Sequence, residues 1–514
     1  MRKSSNWFVI LVVVLALAAR IIPGPRTIDD SFITFRYARN LLSGEGFVYN
    51  PGQRVMGTTT PLYTFLMAGM AALTGGPKAD FPALALGLNA VADAVTCLLL
   101  WQLGKRFGSQ RAGAVAAVLW AVAPFSVTFA IGGLETSVYV LLITATAYFY
   151  SGKRYVWTAL VGALALLTRV DALILFAPLG LDWLVRILRK QEKWPVWQVW
   201  LAFLLPTVAW YGFATLYFGS PFPHSVSAKL VTYRLEEGAS LIRLIQHYAN
   251  PFFEYNTFRA VGTGLGLILY PFLFGIGAMK AFRNEPRSLP WIIYPWLYLL
   301  AFAIPNPLIF RWYLTPPLPA YFLFILIGLE RVLTGIFSAR MKPGLQPAGW
   351  RVWAPLVLLA AWPLGLTMTE WRLHTNHGVD RPAPDMAFIQ LELYYRQVAD
   401  EIAPTLSADS VLAAGDVGVL GFYTPARILD TVGLNSPESL NYYPLDETLY
   451  EINYAVAPAL IRDMQPDAVV ILEVYGRLGL LKEPWFAEQY RLRTKIETDM
   501  YGSDGLLVFE RVQP

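Results

Sequence analysis

The stretch WFVILVVVLALAARIIPGPRTIDDSFITFRYARN (residues 7–40) decides how the rest of the chain is interpreted. Its first part, residues 7–22, is apolar and approaches the ~20 residues with which a helix crosses the hydrocarbon of a bilayer. A short basic segment precedes it, as in a signal peptide, but no small-residue cleavage site follows. We therefore interpret residues 7–22 as a first, uncleaved transmembrane helix, followed by a polar loop that begins with paired acids.

The remaining composition fits a membrane protein. Of the 514 residues 55% are hydrophobic and 15% are charged, where a soluble protein has about a quarter charged. Further apolar runs lie near 81–103, 111–131, 134–151, 155–170, 171–188, 196–218, 261–279, 288–304, 313–330 and 351–369. A shorter run, 61–74, is expected to lie at the membrane interface. The sequence predicts an α-helical polytopic membrane protein of about eleven transmembrane helices.

Basic residues orient these spans. They fall in alternate connections, which should be cytoplasmic by the positive-inside rule: Arg2 and Lys3; Lys105 and Arg106; Lys153 and Arg154; Arg186, Arg189 and Lys190; Lys280, Arg283 and Arg287; Arg331, Arg340 and Lys342. The net charge of +5 is therefore attributed to topology and not to a nucleic-acid partner. The first loop, residues 23–80, and residues 370–514 are predicted to lie outside the cytoplasm. Four arginines in the first loop break the rule, and such a break can mark function.

The tail is expected to be a separate soluble domain of the α/β class. Residues 385–403 have helical periodicity, and β-rich runs occur at 410–414, 467–473 and 506–511. We therefore divide the chain into a transmembrane module, residues 1–369, and an extracytoplasmic α/β domain, residues 370–514.

Asp29 and Asp30 are the first candidates for chemistry. They stand where the first span leaves the membrane, and two adjacent carboxylates there could accept a proton or hold a cation. The apolar residues that follow suit an interfacial helix, with Arg36 near Asp29 in angle. The simpler alternative is that one of the acids only caps that helix.

The sequence around these acids resembles the first outer loop of bacterial C-type (GT-C) glycosyltransferases, closest to the branch that contains the mycobacterial terminal arabinofuranosyltransferases. The match runs from Asp29-Asp30 through GEGFVYNPGQRV (residues 44–55) to Thr60-Pro61-Leu62. In that family the first acid of the pair is the usual general base. The resemblance therefore assigns the base to Asp29, with Asp30 as its partner or a cation ligand.

Three further motifs resemble the family in the expected order. Gly132-Gly133-Leu134-Glu135-Thr136 is similar to its GLET motif, and Leu167-Thr168-Arg169-Val170-Asp171 to its LTRPE turn. Residues 220–229, SPFPHSVSAK, are similar to its GxPLPNTxxAK stretch, with His224 where the family has Asn. Asp171 likewise replaces the commoner Glu. We expect substrate-binding roles for Arg36, Glu135, Arg169, Asp171, His224, Lys229 and Arg311, with Arg169 and Lys229 as candidate phosphate ligands.

Each of these residues also has a structural interpretation. Glu135 could cap the helix beside it, and Arg169 with Asp171 could be an ion pair at a helix break, since intramembrane charges usually pair. Lys229 could snorkel to the interface and Arg311 could anchor an aromatic belt. Gly415, Gly418 and Gly421 lack the spacing of a nucleotide fingerprint and are interpreted as turn glycines. No zinc spacing is present, so no metal site is assigned and no cofactor is certain, although Asp30 leaves a divalent cation possible.

The chemistry suits a lipid-linked sugar. A polyprenyl-phosphate sugar needs a base for the acceptor hydroxyl and cations for the departing phosphate, and acids and cations are predicted on one membrane face. We expect a multi-pass cell-membrane glycosyltransferase with an extracytoplasmic glycan, lipid or protein acceptor. Inversion follows from the family and from a single in-line displacement. The alternative is a transporter or flippase of lipid-linked sugars, which broken helices and midplane charges would favour.

A reporter fused after Trp371 should report an extracytoplasmic position, because the basic connections alternate with that sign. A fusion after Lys105, in a connection predicted to be cytoplasmic, is the matched control. Activity of a cytoplasmic reporter at Trp371 would reverse the orientation of every span and place the acids in the cytoplasm.

Overall fold

A computed structural model describes residues 2–252, 255–339, 354–355 and 387–512. The predicted boundary between residues 369 and 370 lies outside these residues. Most of the last predicted span, 351–369, also lies outside them. The domain division therefore stays a prediction.

Helices dominate the described part of the first 339 residues, and most of the predicted apolar runs fall on them. The helices His224–Thr232 and Ala239–Ala249 were not predicted, and the run 111–131 forms two helices. In chain order the helices are α1 Arg2–Ile21, α2 Asp29–Leu42, α3 Pro61–Thr74, α4 Phe81–Arg106, α5 Gln110–Val122, α6 Pro124–Ile131, α7 Thr136–Ser151, α8 Tyr155–Thr168, α9 Leu173–Leu188, α10 Trp197–Phe218, α11 His224–Thr232, α12 Ala239–Ala249, α13 Tyr255–Asn284, α14 Leu289–Ala303 and α15 Leu318–Ala339.

Several of these helices could cross a membrane. Among the described residues, four are long and apolar enough to do so: α4, α10, the part Ala260–Asn284 of α13, and Leu318–Ser338 of α15. A fifth is obtained if α5 and α6 form one span, bent by 43°. The bend falls at Pro124, which opens α6 and cannot donate the backbone hydrogen bond that would continue α5. The count of about eleven spans stays a prediction.

A fully buried ion pair joins several helices of the bundle. The Arg20 Nε atom of α1 lies 2.8 Å from Asp93 Oδ2 of α4, and both side chains are 0% exposed. Arg20 also donates to the carbonyl oxygen of Ala121, at 2.8 Å. Asp93 accepts from Trp120 Nε1 at 3.0 Å and from the Ser137 hydroxyl at 2.8 Å. These bonds offset the high cost of burying two charges.

The tail forms the α/β fold that its sequence predicts. Its elements are α16 Ala387–Ile402, β1 Val411–Ala414, α17 Gly418–Tyr423, β2 Arg427–Asp430, α18 Pro458–Met464, β3 Ala468–Leu472, α19 Glu473–Gly476, α20 Pro484–Gln489, β4 Tyr490–Ile496 and β5 Leu506–Arg511. The sheet order is β2-β1-β3-β5-β4. Strands β2, β1 and β3 run parallel, and β5 is antiparallel to both β3 and β4.

The described chain divides into two compact units that are interleaved in sequence. The first unit is Met1–Pro25, Ala85–Ala209 and Gly238–Thr375, and the second is Arg26–Leu84, Trp210–Glu237 and Asn376–Pro514. The second unit therefore combines the first loop with the α/β tail, although hundreds of residues separate them in sequence. One apolar core within this unit includes Ala228 of α11 together with residues of the sheet such as Val469 and Phe509.

Replacing Gly277 by Ala should destabilise the first unit by roughly 1–3 kcal/mol, as overpacking typically does. A Cβ there would overlap the carbonyl oxygen of Phe324 in α15. Gly275→Ala, on the same helix with nothing near its Cβ, is the matched control. The unfolding midpoint in detergent can be followed with a thiol-reactive fluorophore, because the sole cysteine, Cys97, is buried. Equal midpoints for the two variants would contradict close packing of α13 on α15.

Candidate active site

Asp29 lies in the first turn of α2, and its carboxylate binds the start of a different helix. The Gly418 amide donates to Asp29 Oδ2 at 2.8 Å, and the Val419 amide donates to Oδ1 at 2.7 Å. The first amides of a helix have no partner within that helix, so Asp29 satisfies two such donors of α17. The N-cap residue of α2 is Ile28, without a side-chain cap bond. The capping interpretation therefore applies to α17 and not to α2.

Gly418 has a reason to be glycine that the sequence did not reveal. Its φ does not lie in the left-handed region, but a Cβ at this position would overlap the backbone oxygen of Asp29. Gly421 behaves similarly, because a Cβ there would overlap the Tyr49 hydroxyl. The interpretation of these two as turn glycines is corrected: they allow close approach of the first loop to α17.

A third carboxylate, Asp416, lies two residues before the amides that bind Asp29. Its Oδ2 accepts a hydrogen bond from the Tyr395 hydroxyl of α16, at 2.6 Å. Its charge interacts with those of Asp29 and Asp30. Asp30 is half-buried, and the nearby cation that acts on it is Lys229 of α11. The second unit therefore brings together Asp29, Asp30 and Lys229, which are three of the candidate residues, and adds Asp416.

Burial makes all three acids hard to ionise. Burial raises the pKa of Asp29 well above its usual value, and the charge of Asp416 raises it further, while the Val419 amide opposes the shift. Burial also raises the pKa of Asp30, against the lowering effect of Lys229. The pKa of Asp416 is raised to about 6 by burial, although the Tyr395 hydrogen bond lowers it. A carboxyl group with a raised pKa is a stronger base once it is ionised.

Asp416 lies at the edge of the sheet where the parallel strands end, and two other titratable side chains of the tail share this edge. Asp416 follows β1, Asp430 ends β2, and Tyr475 follows β3. Ligands of open α/β sheets bind outside this edge. The Asp430 carboxylate has a structural role, because it accepts hydrogen bonds from the amides of Val432 and Gly433 at 3.0 Å each.

Arg36 is buried and fixes the first loop to the tail. Its Nε donates to the Tyr49 carbonyl at 2.8 Å, and its Nη1 donates to the Gly421 carbonyl. Asn50 extends this link, because its amide group donates to the Ile428 carbonyl of β2 at 2.9 Å and accepts from the Ile428 amide at 3.1 Å. The contacts of Arg36 are those of a structural cation, and its substrate-binding role stays a prediction.

The first unit contains a second polar cluster, centred on Arg169. The guanidinium is 6% exposed and binds Asp171 through two hydrogen bonds of 3.0 Å. It also donates to Glu135 Oε1 at 3.0 Å. The Tyr298 hydroxyl donates to Asp171 Oδ2 at 3.0 Å. The ion pair considered for Arg169 and Asp171 is therefore present, with Glu135 as a second acid; a phosphate role for Arg169 stays a prediction.

Two further predicted residues are His224 and Arg311. His224, in the second unit, lines a cavity of about 360 Å³ together with Arg54 and Ser227. Its backbone amide donates to the Met56 carbonyl at 2.9 Å. Arg311, in the first unit, opens a short 3₁₀ helix, and its guanidinium is 6.0 Å from the ring centroid of Phe125.

Metal binding gains no support from geometry. In the part of the chain that the structure describes, no three His, Cys, Asp or Glu side chains are arranged to hold a metal ion. Sequence reasoning included Asp416 in a stretch to which the family resemblance extends weakly, but it gave this residue no role. The available signal was Gly415-Asp416-Val417-Gly418, a polar loop directly after a buried strand.

Comparisons with known proteins support this fold. The structure resembles ArnT of Cupriavidus metallidurans bound to undecaprenyl phosphate, with a TM-score of 0.58 at 13% identity, over 99% of this chain and 98% of that one. It resembles the Archaeoglobus fulgidus oligosaccharyltransferase tethered with an acceptor peptide, with a TM-score of 0.58 at 11% identity, over 99% of this chain and 74% of that one. Both are GT-C glycosyltransferases, and this chain has a GT-C-like fold.

Two sequence comparisons cover shorter stretches. The terminal β-(1→2)-arabinofuranosyltransferase of Mycobacterium tuberculosis is 32% identical over 115 residues, which are 21% of this chain and 18% of that protein. The match thus spans less than a fifth of that relative's length. A family model described as a domain of unknown function (DUF8728) matches residues 386–509 of the α/β tail.

Arg169→Ala should destabilise the first unit by about 3–5 kcal/mol, because two buried carboxylates would lose their cation. The double variant Arg169→Ala with Asp171→Ala should recover part of this loss, since one of those carboxylates is then absent. Unfolding midpoints read through Cys97 provide the measurement. A double variant as unstable as the sum of the single effects would show that the pair is not coupled.

Proposed function

We propose that this chain is an inverting glycosyltransferase that moves a sugar from a polyprenyl-phosphate donor to an extracytoplasmic acceptor. The acceptor is a cell-envelope glycan, lipid or protein. The proposal includes a membrane topology of about eleven spans in which the site and the α/β tail lie outside the cytoplasm, as the basic connections favour.

The fold supports the general class of reaction. ArnT was solved with undecaprenyl phosphate, and the Archaeoglobus protein with an acceptor peptide. The Mycobacterium relative is named as an arabinofuranosyltransferase, which makes a pentose a reasonable first donor to test.

The proposal depends mainly on the burial, the orientation and the raised pKa of the Asp29 carboxylate. Its carboxylate is 6% exposed, oriented by two backbone amides, and has a pKa raised by burial. An ionised carboxylate offers about four lone-pair positions, so two amide bonds leave room for a substrate proton. An oriented, strongly basic carboxylate is what a general base requires.

The reaction follows from these groups. The oxygen of the acceptor hydroxyl attacks the anomeric carbon of the donor sugar, and Asp29 accepts the proton of that hydroxyl. The bond from that carbon to the phosphate oxygen breaks, and its electron pair leaves with the polyprenyl phosphate. One displacement at one carbon inverts its configuration. The products are the glycosylated acceptor, the lipid phosphate and protonated Asp29.

We propose Lys229 as the cation that neutralises the departing phosphate within the second unit. It lies beside Asp30, so its charge acts within the acid cluster. Arg169 is the second proposed phosphate ligand. Its three hydrogen-bonded nitrogens are occupied by Asp171 and Glu135, so a phosphate would have to displace one of these carboxylates.

Asp29→Asn should reduce turnover by about 10²–10⁴-fold, because it removes proton acceptance at nearly constant volume. Transfer from labelled polyprenyl-phosphate pentoses and hexoses, by purified protein in detergent, is the measurement. Asp30→Asn is run alongside it, and a greater loss for Asp30→Asn would exchange the roles of the two acids.

Asp409→Asn is the matched control, since Asp409 is an exposed carboxylate of the same unit. Its turnover should equal that of the unmodified protein. Near-normal turnover by folded Asp29→Asn would remove Asp29 as the base. Absence of transfer by the unmodified protein, across donors and acceptors, would overturn the proposed function itself.

A further inference from the structure

We propose that Asp416, supplied by the α/β tail, is a positioning residue that controls the proton on Asp29. This inference rests on the proposed function, because it assigns a partner to the proposed base. It also gives the tail a role in the reaction: the loop after β1 completes a site whose other acids come from the first loop.

The geometry begins with the backbone. The amides of Gly418 and Val419 hold both oxygens of Asp29, at 2.8 and 2.7 Å. Gly418 approaches so closely that no larger residue fits against the Asp29 backbone. The loop from Asp416 to Val419 is therefore held against Asp29, and it fixes Asp416 two residues from the point of contact.

Asp416 is itself oriented by a hydroxyl donor. Tyr395 donates to its Oδ2 at 2.6 Å. Tyr395 belongs to α16, and its side chain is 3% exposed. A hydrogen bond to one carboxylate oxygen fixes the rotation of that group and favours its charged form.

Three carboxylates in one buried region cannot all be ionised at low cost. The charged and titratable groups that surround Asp416 come from several elements of the second unit: Asp29, Asp30, Lys229, Tyr233, Tyr395, Tyr475 and Tyr501. Lys229 provides a positive charge that acts on Asp30. Ionised Asp416 therefore keeps the proton on Asp29 to a higher pH, so that the two acids titrate as a pair.

The first measurement is the pH dependence of kcat/KM, whose acid limb reports ionisation of the base in the free enzyme. Asp416→Asn removes the opposing charge, so the pKa of Asp29 should fall and the acid limb should move to lower pH by about one unit. Asp416→Glu keeps the charge and should retain the original limb. A role limited to folding would lower the amount of active enzyme without moving the limb.

The second measurement needs no activity: it is the unfolding midpoint between pH 4 and 8, followed by circular dichroism, because thiol labelling itself depends on pH. Acids with raised pKa bind more protons in the folded than in the unfolded state, so they stabilise the fold below about pH 4. This stability is lost as the pH rises through their folded pKa values, about 6 for Asp416. The fall of the unfolding midpoint with rising pH should be shallower in Asp416→Asn and unchanged in Asp409→Asn.

Tyr395→Phe should change the pH dependence of stability in the direction opposite to Asp416→Asn. Loss of its hydrogen bond should raise the pKa of Asp416, so the fall in stability should extend to higher pH. Opposite shifts for Asp416→Asn and Tyr395→Phe support the inference. It is overturned if both variants keep the pH dependence of the unmodified protein, even where Asp29→Asn abolishes transfer. Absence of transfer by the unmodified protein, with the opposite shifts in stability present, would instead reject the proposed function alone.

Discussion

The hydrogen bonds from the Gly418 and Val419 amides to the Asp29 carboxylate are the interaction on which the second unit depends. They join residues 389 and 390 positions apart in sequence. A charged or proton-sharing carboxylate at the start of α17 satisfies donors that would otherwise be buried without partners. The same bonds fix the direction of the proposed base. Folding of the tail and orientation of the acid are thus one event.

Arg36 and Asn50 extend this constraint along the first loop. Arg36 binds carbonyl oxygens of both the loop and the tail, and Asn50 pairs with both backbone groups of Ile428 as a neighbouring strand would. Polar side chains therefore complete the edge of the sheet at β2. Arg36 is one of the four arginines of the first loop, and its bonds to loop and tail carbonyl oxygens account for this positive charge structurally.

The first unit shows how charge is accommodated among apolar helices. Arg20 and Asp93 form one fully buried pair, and Arg169, Asp171 and Glu135 form a second cluster. In both, hydrogen bonds satisfy most of the polar atoms, as burial requires. The proposed phosphate role of Arg169 has to compete with these bonds, whereas Lys229 faces acids that are already hard to ionise.

The sequence by itself determined the positions of most helices, though not of α11 and α12, the α/β class of the tail and the acid pair of the first loop. It did so because apolar run length and side-chain periodicity are local properties. It found β1, β3 and β5, which lie inside the sheet and are apolar, and it missed β2 and β4, the two edge strands. β2, RILD, has only four residues, and β4, YRLRTKI, contains four polar ones, so neither is as apolar a run as the three inner strands. Only the tertiary structure decided that Asp29 caps α17, that Glu135 joins Arg169 and Asp171, and that Asp416 reaches the acid pair. Such partners are chosen by packing between segments that lie from 34 to 390 positions apart, and no local pattern of residues records that choice.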